Sequence, residues 1–201
     1  MITSRNLFAS ALVFFGGFVL AGCSSAYDGS VSEESAIETS NALSKKCNAE
    51  VPDPILNVPA GNRIAFEFDA TGVQIYACQA TATGHGWVFQ APEADLFRDG
   101  HHVGTHYAGP TWEFQDGSKV VGARVSGFTP DPSAIPWLLL RAASHEGDGL
   151  MSTVTYIQRL DTVAGIAPTS GCDAAHVGEV ARVDYTTRYV FYKAAPGNSC
   201  G

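Results

Sequence analysis

The sequence predicts an all-β protein, either an antiparallel β-sandwich or a related barrel of about seven to nine strands. From about residue 51 onward, short runs of alternating apolar and polar residues are separated by turns rich in Gly, Asp and Pro. No long helical periodicity competes with this pattern. A folded part of about 150 residues is long enough to bury an adequate core without a partner.

The first strand signal is the alternation of Ile64, Phe66 and Phe68 with smaller or polar residues. The sequence DATG at residues 69–72 then predicts a hairpin loop. A second strand is expected over residues 73–80.

Two more hairpins are predicted further along the chain. The first joins residues 111–115 to residues 118–125 through Asp116-Gly117, a dipeptide that favours a type I′ turn. The second joins residues 137–145 to residues 150–160 through the turn EGDG.

The last predicted strand covers residues 180–192. Four of its side chains are expected to point inward, because they recur with the period of a strand. They are Val183, Tyr185, Tyr189 and Phe191.

Residues 1–22 have the pattern of a secretory signal peptide. One positive charge, Arg5, precedes fourteen uncharged residues at positions 7–20. That run is shorter than the roughly 20 apolar residues that a membrane-spanning helix needs. A signal peptide, rather than a span, is therefore predicted.

The signal ends in Leu20-Ala21-Gly22-Cys23, which resembles the lipobox of bacterial lipoproteins. The resemblance implies that Cys23 becomes the lipidated N-terminus and carries fatty acyl chains such as palmitate. Ser24 after the cysteine implies sorting to the outer membrane in a cell that has one. The expected location is the cell envelope, where the lipid holds the protein to the membrane. The alternative is a plain signal peptide.

The lipidated N-terminus and a flexible tether are assigned to residues 23–50, and the β domain to residues 51–201. Residues 24–46 are rich in Ser and Glu and contain few large apolar side chains that could be buried. A short helix over residues 33–43 is the alternative for this segment.

The charge balance excludes one class of partner. Twelve basic residues against twenty acidic ones give a net charge of −8. Nucleic-acid binding requires clustered positive charge, so no nucleic-acid partner is expected.

Eight stretches in the middle of the chain form a specific combination: VPAG (58–61), GVQIYAC (72–78), HYAGPTWE (106–113), DGS (116–118), IPWLL (135–139), VTYIQR (154–159), GCD (171–173) and residues 189–192. This combination resembles a domain family of unknown function, found in secreted or lipid-anchored bacterial proteins and in secreted fungal ones. The resemblance covers residues 51–193 and implies a fold but no reaction. Some fungal members are labelled dehydrogenases, but no G-x-G-x-x-G follows a strand here.

Besides Cys23, four cysteines remain, and an even number in an exported chain predicts disulfides. Three connectivities are possible. Cys78–Cys172 within the domain and Cys47–Cys200 between its ends are favoured, because the ends of a domain often lie close together. The C-x₂-C spacing of a metal site is absent.

No cofactor or metal site is expected, although the chain has six histidines. His102 and His106 share a face of a strand but would lie about 13 Å apart, too far for a common metal ion. A site would have to recruit residues from separate turns, for example His106 with His85 or His176.

The motifs of hydrolases with an activated nucleophile, G-x-S-x-G and S-x-x-K, are absent, as is the metalloprotease motif H-E-x-x-H. Two carboxylate pairs could serve glycoside cleavage, Glu67 with Asp69 and Glu113 with Asp116. Asp69 and Asp116, however, are explained by the turns predicted there. A protein without catalysis is therefore favoured.

The strongest candidate for a functional site is the segment from His101 to Glu113. Gly104, Gly109 and Pro110 interrupt its alternation, so the backbone is expected to leave a regular strand there. The predicted binding residues are His106, Trp112, Glu113, His102 and Tyr107. The nearest rival lies around Asp173 and His176.

Aromatic side chains suggest what such a site binds. Trp87, Trp112 and Trp137, with Tyr76 and Tyr107, would suit a platform for a sugar or another apolar ligand, although the core also buries such residues. The sequence thus favours a non-catalytic binding or structural domain, with a small molecule, a glycan or an envelope component as its unknown ligand. The alternative is a metal-dependent or hydrolytic enzyme centred on His106 and Glu113.

Overall fold

The computed structural model describes residues 47–197 and residue 200. In that part of the chain, eight antiparallel strands follow one another in sequence order around a closed barrel. They are β1 (Asn62–Thr81), β2 (Gly84–Arg98), β3 (His101–Tyr107), β4 (Thr111–Phe114), β5 (Lys119–Phe128), β6 (Trp137–Glu146), β7 (Val154–Ala164) and β8 (Val180–Ala194). The barrel closes where β8 pairs with β1. The all-β class and the strand number are confirmed, and the architecture is the barrel.

The predicted signal peptide, the lipidation site at Cys23 and the tether up to residue 46 lie outside the described residues, as does the alternative helix at residues 33–43. Within residues 47–197, no helix has the length and apolar character needed to cross a membrane. Pro54–Leu56 and Leu150–Thr153 are short 3₁₀ turns.

The hairpin loop predicted at residues 69–72 is wrong, because β1 runs straight through these residues. Both edges of β1 are paired here, with β2 on one side and β8 on the other. Gly72 is needed for a close approach of two strands rather than for a turn. A Cβ atom at this position would overlap the carbonyl oxygen of Glu93 and the Cα of Ala94 on β2.

The turn between β4 and β5 is at the predicted place but is not of type I′. That type requires positive φ at both central residues, whereas only Gly117 of the Asp116-Gly117 pair has one, at 83°. The Gly117 N–H instead donates to the Phe114 carbonyl at 2.9 Å. The Asp116 carboxylate accepts the backbone N–H groups of Ser118 and Leu150, both at 2.8 Å, which explains an acidic residue in this loop.

The last hairpin and the last strand follow the prediction closely. The strand expected from residue 150 begins at Val154 instead, because Leu150–Thr153 forms a 3₁₀ turn. In β8, Tyr185, Tyr189 and Phe191 are buried as expected, while Val183 is only half-buried.

The barrel interior is filled by apolar and aromatic side chains from every strand. Phe68, Trp112, Tyr189 and Phe191 are its largest members and contact one another through their rings. The other buried members of this core are Ala70, Leu96, Val103, Val120, Leu140, Met151, Val154 and Ile157.

A second cluster lies on the outer face of β6, β7 and β8, where residues 47–58 cover the barrel. The Tyr192 hydroxyl accepts the Ala49 N–H at 2.9 Å and donates to the Gln158 side chain at 2.6 Å. Gln158 in turn donates to the Leu56 carbonyl at 2.7 Å. Burial raises the pKa of Tyr192 to about 12, so this hydroxyl remains a donor.

Two disulfides join Cys47 to Cys200 and Cys78 to Cys172, which is the pairing that the sequence favoured. The first links the two ends of the described region. The second links β1 to the long connection between β7 and β8.

Candidate functional site

The segment predicted as the site forms a short hairpin of β3 and β4. Its ladder pairs Thr105 with Glu113 and His106 with Trp112. Gly104 does not interrupt this ladder, since it pairs with Phe114. A Cβ atom at Gly104 would overlap the Glu113 carbonyl, so glycine here permits a close approach of the two strands.

The five predicted binding residues do not form one site. His106 and Trp112 point into the barrel, where their exposed fractions are 3% and 1%. Tyr107 and Glu113 are the next residues along each strand and therefore lie on the outer face. There the Tyr107 hydroxyl donates to the Glu113 carboxylate at 2.8 Å. The exposed His102 lies 3.2 Å from the Asp95 carboxylate.

His106 is held as a neutral side chain in the barrel interior. Its ring stacks on Trp112 with 4.3 Å between ring centroids, and its Nδ1 lies 2.8 Å from the Thr111 carbonyl oxygen. A carbonyl only accepts, so Nδ1 carries the proton. Burial lowers the pKa of His106 to about 3, against the opposing effect of the Thr111 hydrogen bond and with a smaller lowering by the Arg159 charge.

The other candidates from the sequence lie apart from one another. Trp137 packs in the outer cluster, and the Trp87 indole N–H donates to the Ser170 carbonyl at 2.9 Å. The three tryptophans thus form no common platform. Asp173 and His176 form an exposed pair at 2.7 Å, in a turn where the Asp173 carboxylate also accepts the Ala175 N–H.

The shortness of the β3–β4 hairpin leaves a window in the barrel wall. β3 pairs with β2 only from Ala94 onward, and β4 pairs with β5 only up to Val121. Beyond the turn at residues 108–110, the earlier part of β2 and the later part of β5 therefore have no strand between them. Both strands continue past the hairpin, because their other edges are paired with β1 and β6.

A cavity of about 380 Å³ lies at this window. We call it the side cavity. Phe89, which is 49% exposed, and the exposed Arg124 lie at its mouth, while the buried Trp112 and Tyr189 form its inner wall. The remaining lining residues are Gln90, Pro92, Gly109, Pro110, Leu138, Leu140 and Arg159.

Two arginines reach the side cavity from inward-facing strand positions. Arg124 follows Val120 and Gly122 on the inner face of β5, and Arg159 follows Ile157 on the inner face of β7. Arg159 stands in one row with its two ladder partners, Leu138 on β6 and Tyr189 on β8. Its Nε and Nη2 donate to the Pro136 carbonyl at 3.0 and 2.8 Å.

The charged groups of the side cavity are both cationic. Its lining contains no Asp or Glu, and in residues 47–197 neither arginine forms an ion pair. Two arginines of the outer face differ in this respect. Arg182 pairs with Glu93 at 2.7 Å, and Arg188 pairs with Glu67 and Asp161 at 2.8 Å.

Trp112 adds an uncharged donor. Its indole N–H is buried and has no acceptor within the described part of the chain. A buried polar group without a partner costs about 1–3 kcal/mol, so such groups are uncommon in folded proteins. Tyr189 contributes a hydroxyl whose pKa burial raises well above its ordinary range, so it too stays protonated.

One wall of the side cavity was predicted from the sequence, and the other walls were not. The predicted segment supplies Gly109, Pro110 and Trp112, whereas Arg124 and Arg159 were not singled out. A usable signal was present in β7: Arg159 shares the face of Ile157, so the period of two places a charge among inward residues.

No group of three or more His, Cys, Asp or Glu side chains that could hold a metal ion exists within residues 47–197. The enzyme alternative needed His106 and Glu113 to face a common pocket. The ladder places them on opposite faces of the sheet.

These features define a small antiparallel barrel with a cavity in its wall. Barrels of eight strands are either filled by side chains or wide enough to hold one small ligand. The chain belongs to the family described as "Protein of unknown function (DUF3455)", which matches residues 59–193, almost the whole barrel. The predicted family resemblance is thereby confirmed. No curated protein and no solved structure matches the chain.

Proposed function

We propose that this protein is a lipid-anchored binding protein of the cell envelope, whose barrel takes a small and largely apolar ligand into the side cavity. The observation that carries the proposal is the cavity itself, about 380 Å³ in volume and walled by Phe89, Trp112, Leu140 and Tyr189. Sites for small molecules usually measure roughly 300–1,000 Å³ and combine apolar and aromatic walls with a few polar groups.

The walls of the side cavity are set by the fold rather than by a loose loop. Trp112 and Tyr189 are held by an edge contact with 5.3 Å between ring centroids, and Trp112 also stacks on His106. Leu140 belongs to the same core. A ligand would therefore meet a surface that is already formed, which reduces the entropy lost on binding.

A role without catalysis is supported by the way His106 is used. Its proton donor is engaged by the Thr111 carbonyl, and its ring is stacked between neighbours in the core. A general base needs access to the proton that it abstracts and a pKa near the working pH. A pKa of about 3 and nearly complete burial fit a structural side chain better.

The envelope location rests on Cys23 and on the tether that follows it. Acyl chains on one cysteine hold a protein to a bilayer at about 0.8 kcal/mol for each buried CH₂ group. A flexible tether of 23 residues, as the sequence predicts for residues 24–46, would span on the order of 25–30 Å and would separate the barrel from the lipid headgroups. The side cavity would then face the aqueous space beside the membrane.

The anchor is tested by replacing its cysteine. We expect Cys23→Ser to abolish metabolic labelling with palmitate and to move the protein from the membrane fraction to the soluble fraction, because no thiol remains for acylation. Fractionation with mass spectrometry of the parent protein measures both effects. Unchanged membrane association, together with a parent mass that lacks acyl groups, would contradict the assignment.

The binding site is tested by filling it. Leu138→Trp adds a ring at a half-buried position that lines the side cavity. We expect the affinity for 2-naphthalenemethanol, an uncharged aromatic probe, to fall by about tenfold or more, because the added indole occupies the space of the ligand. Calorimetric titration of the full chain in detergent micelles measures it, with micelles alone as the blank.

The matched control is Val125→Trp, which adds the same ring at an exposed residue beside the cavity but not among its lining residues. This variant should bind the probe like the parent protein. Thermal unfolding checks that both variants are folded. No binding by the parent, or equal binding by Leu138→Trp and the parent, would overturn the proposal.

A further inference from the structure

The geometry points to an acidic ligand: we propose that the side cavity takes an aromatic or aliphatic molecule bearing a carboxylate or a similar anionic group, which Arg159 and Arg124 bind. This rests on the proposed function and names the chemical class of its ligand. It is argued from the donors and charges that line the cavity.

The side cavity has more hydrogen-bond donors than acceptors. Arg159 uses its Nε and one N–H of Nη2 on the Pro136 carbonyl and also hydrogen-bonds the Tyr189 hydroxyl, which still leaves N–H groups for other partners. Trp112 lines the same cavity, and its indole N–H is buried without an acceptor in the described residues. A ligand that completes this site must bring acceptors, which is what a carboxylate does.

The positive charge of the side cavity is not balanced by a carboxylate of its lining. Arginine stays protonated at any accessible pH, and Arg159 is partly withdrawn from water. Burying a charge is costly unless it is paired, and two cations at one cavity also repel each other. Arg182 and Arg188 on the outer face have carboxylate partners, whereas the two arginines of the cavity have none within residues 47–197. A bound anion would supply the missing charge.

Apolar side chains lie next to both arginines. Arg159 lies in the row between Leu138 and Tyr189, and Arg124 pairs with Leu140 across the strands. Charged and apolar contacts thus alternate along one wall. A ligand with an apolar body and an anionic group would satisfy both, and the guanidinium fork suits a carboxylate in particular.

The test compares two probes that share a ring system. 2-Naphthoate carries a carboxylate where 2-naphthalenemethanol carries an alcohol. In titrations of the full chain in micelles, we expect 2-naphthoate to bind about tenfold tighter or more, because its hydrogen bonds to arginine are charge-assisted. Added salt should weaken the binding of 2-naphthoate and leave that of the alcohol nearly unchanged.

Three variants assign the effect to residues. Arg124→Gln changes an exposed side chain that has no ion pair in the described region, so the fold should be kept while the affinity for 2-naphthoate falls several-fold. Arg159→Gln should remove most of the preference for the acid. Arg141→Gln is the control, because it removes the same charge from an exposed position outside the cavity lining. It should change neither affinity.

The outcomes separate the two proposals. If the alcohol binds as tightly as the acid, and both affinities are unaffected at Arg124 and Arg159, the anionic ligand class is wrong while the cavity remains a binding site. If neither probe binds, the proposed function fails, and the ligand class fails with it. If Arg159→Gln does not fold, Arg124→Gln decides. The inference is supported if the parent prefers the acid and Arg124→Gln does not, and it is overturned if Arg124→Gln keeps the preference.

Discussion

Replacing Trp112 by alanine is expected to lower the free energy of unfolding by about 3–5 kcal/mol, the usual cost of truncating a large buried aromatic side chain. Trp112 is 1% exposed and contacts His106, Tyr189 and Phe191 through its rings. Its ring also fills the space above Gly122, where a Cβ atom would meet the indole at 2.9 Å. Urea unfolding of the full chain, followed by circular dichroism, measures the loss.

The neighbouring residue provides the control. Glu113 follows Trp112 on β4 but lies on the outer face, where it accepts the Tyr107 hydroxyl. Glu113→Ala should therefore cost only a small fraction of the Trp112 effect. Equal destabilisation by the two variants would contradict the assignment of the two residues to opposite faces of the sheet.

The features of the fold that could be predicted are those that depend on the local alternation of apolar and polar residues. The alternation of Ile64, Phe66 and Phe68 marked a real strand, and Gly117 marked a real turn. The three side chains do not share one face, because a register shift between Ile64 and Phe66 places Ile64 in the outer cluster. Alternation reports that one face of a strand is buried, and this is equally true of a sandwich and of a barrel. Barrel closure depends on the pairing of β1 with β8, between residues more than a hundred positions apart. That pairing leaves no local signal.

The error at residues 69–72 has a specific physical cause. Asp, Thr and Gly are typical of turns, but Gly72 is used here because the backbones of β1 and β2 come too close for a side chain. A glycine required by a neighbouring strand looks, in sequence, like one required by a positive φ. Gly104 shows the same ambiguity on β3.

The candidate site was predictable only in part, for a related reason. The segment around His106 and Trp112 was predicted as the site, and its turn borders the side cavity. Tyr107 and Glu113 were predicted to join them in one site, although neighbouring residues of a strand lie on opposite faces of the sheet. Arg159 joins the cavity through its pairing with β6 and β8, so its role depends on long-range register that composition does not show.

The stability of the protein is expected to fall as the pH is lowered from about 6.5 toward 3, because His106 is buried in its neutral form. Its pKa is about 3 in the folded state against 6.5 ordinarily. Between these values the unfolded chain binds a proton at this residue and the folded protein does not. The contribution is therefore fully present above pH 6.5 and is lost at about 1.4 kcal/mol per pH unit as the pH falls toward 3.

Urea unfolding of the full chain at several pH values between 3.5 and 7 measures this slope, and the variant His106→Gln isolates the part due to His106. Gln has no group that titrates in this range, so the variant should be less stable at neutral pH but show a shallower slope. Hydrogen bonds to Ser118 and Ser133 lower the pKa values of Asp116 and Asp131, so the stabilising contributions of these carboxylates are also lost in acid. Both residues are present in the parent and in the variant, so they do not affect the difference between the two slopes. His102→Gln removes an exposed histidine from the same strand and should keep the parent slope. Identical slopes in the parent and in His106→Gln would contradict this prediction. They would show that His106 takes up a proton in the folded barrel, although it is buried and stacked on Trp112.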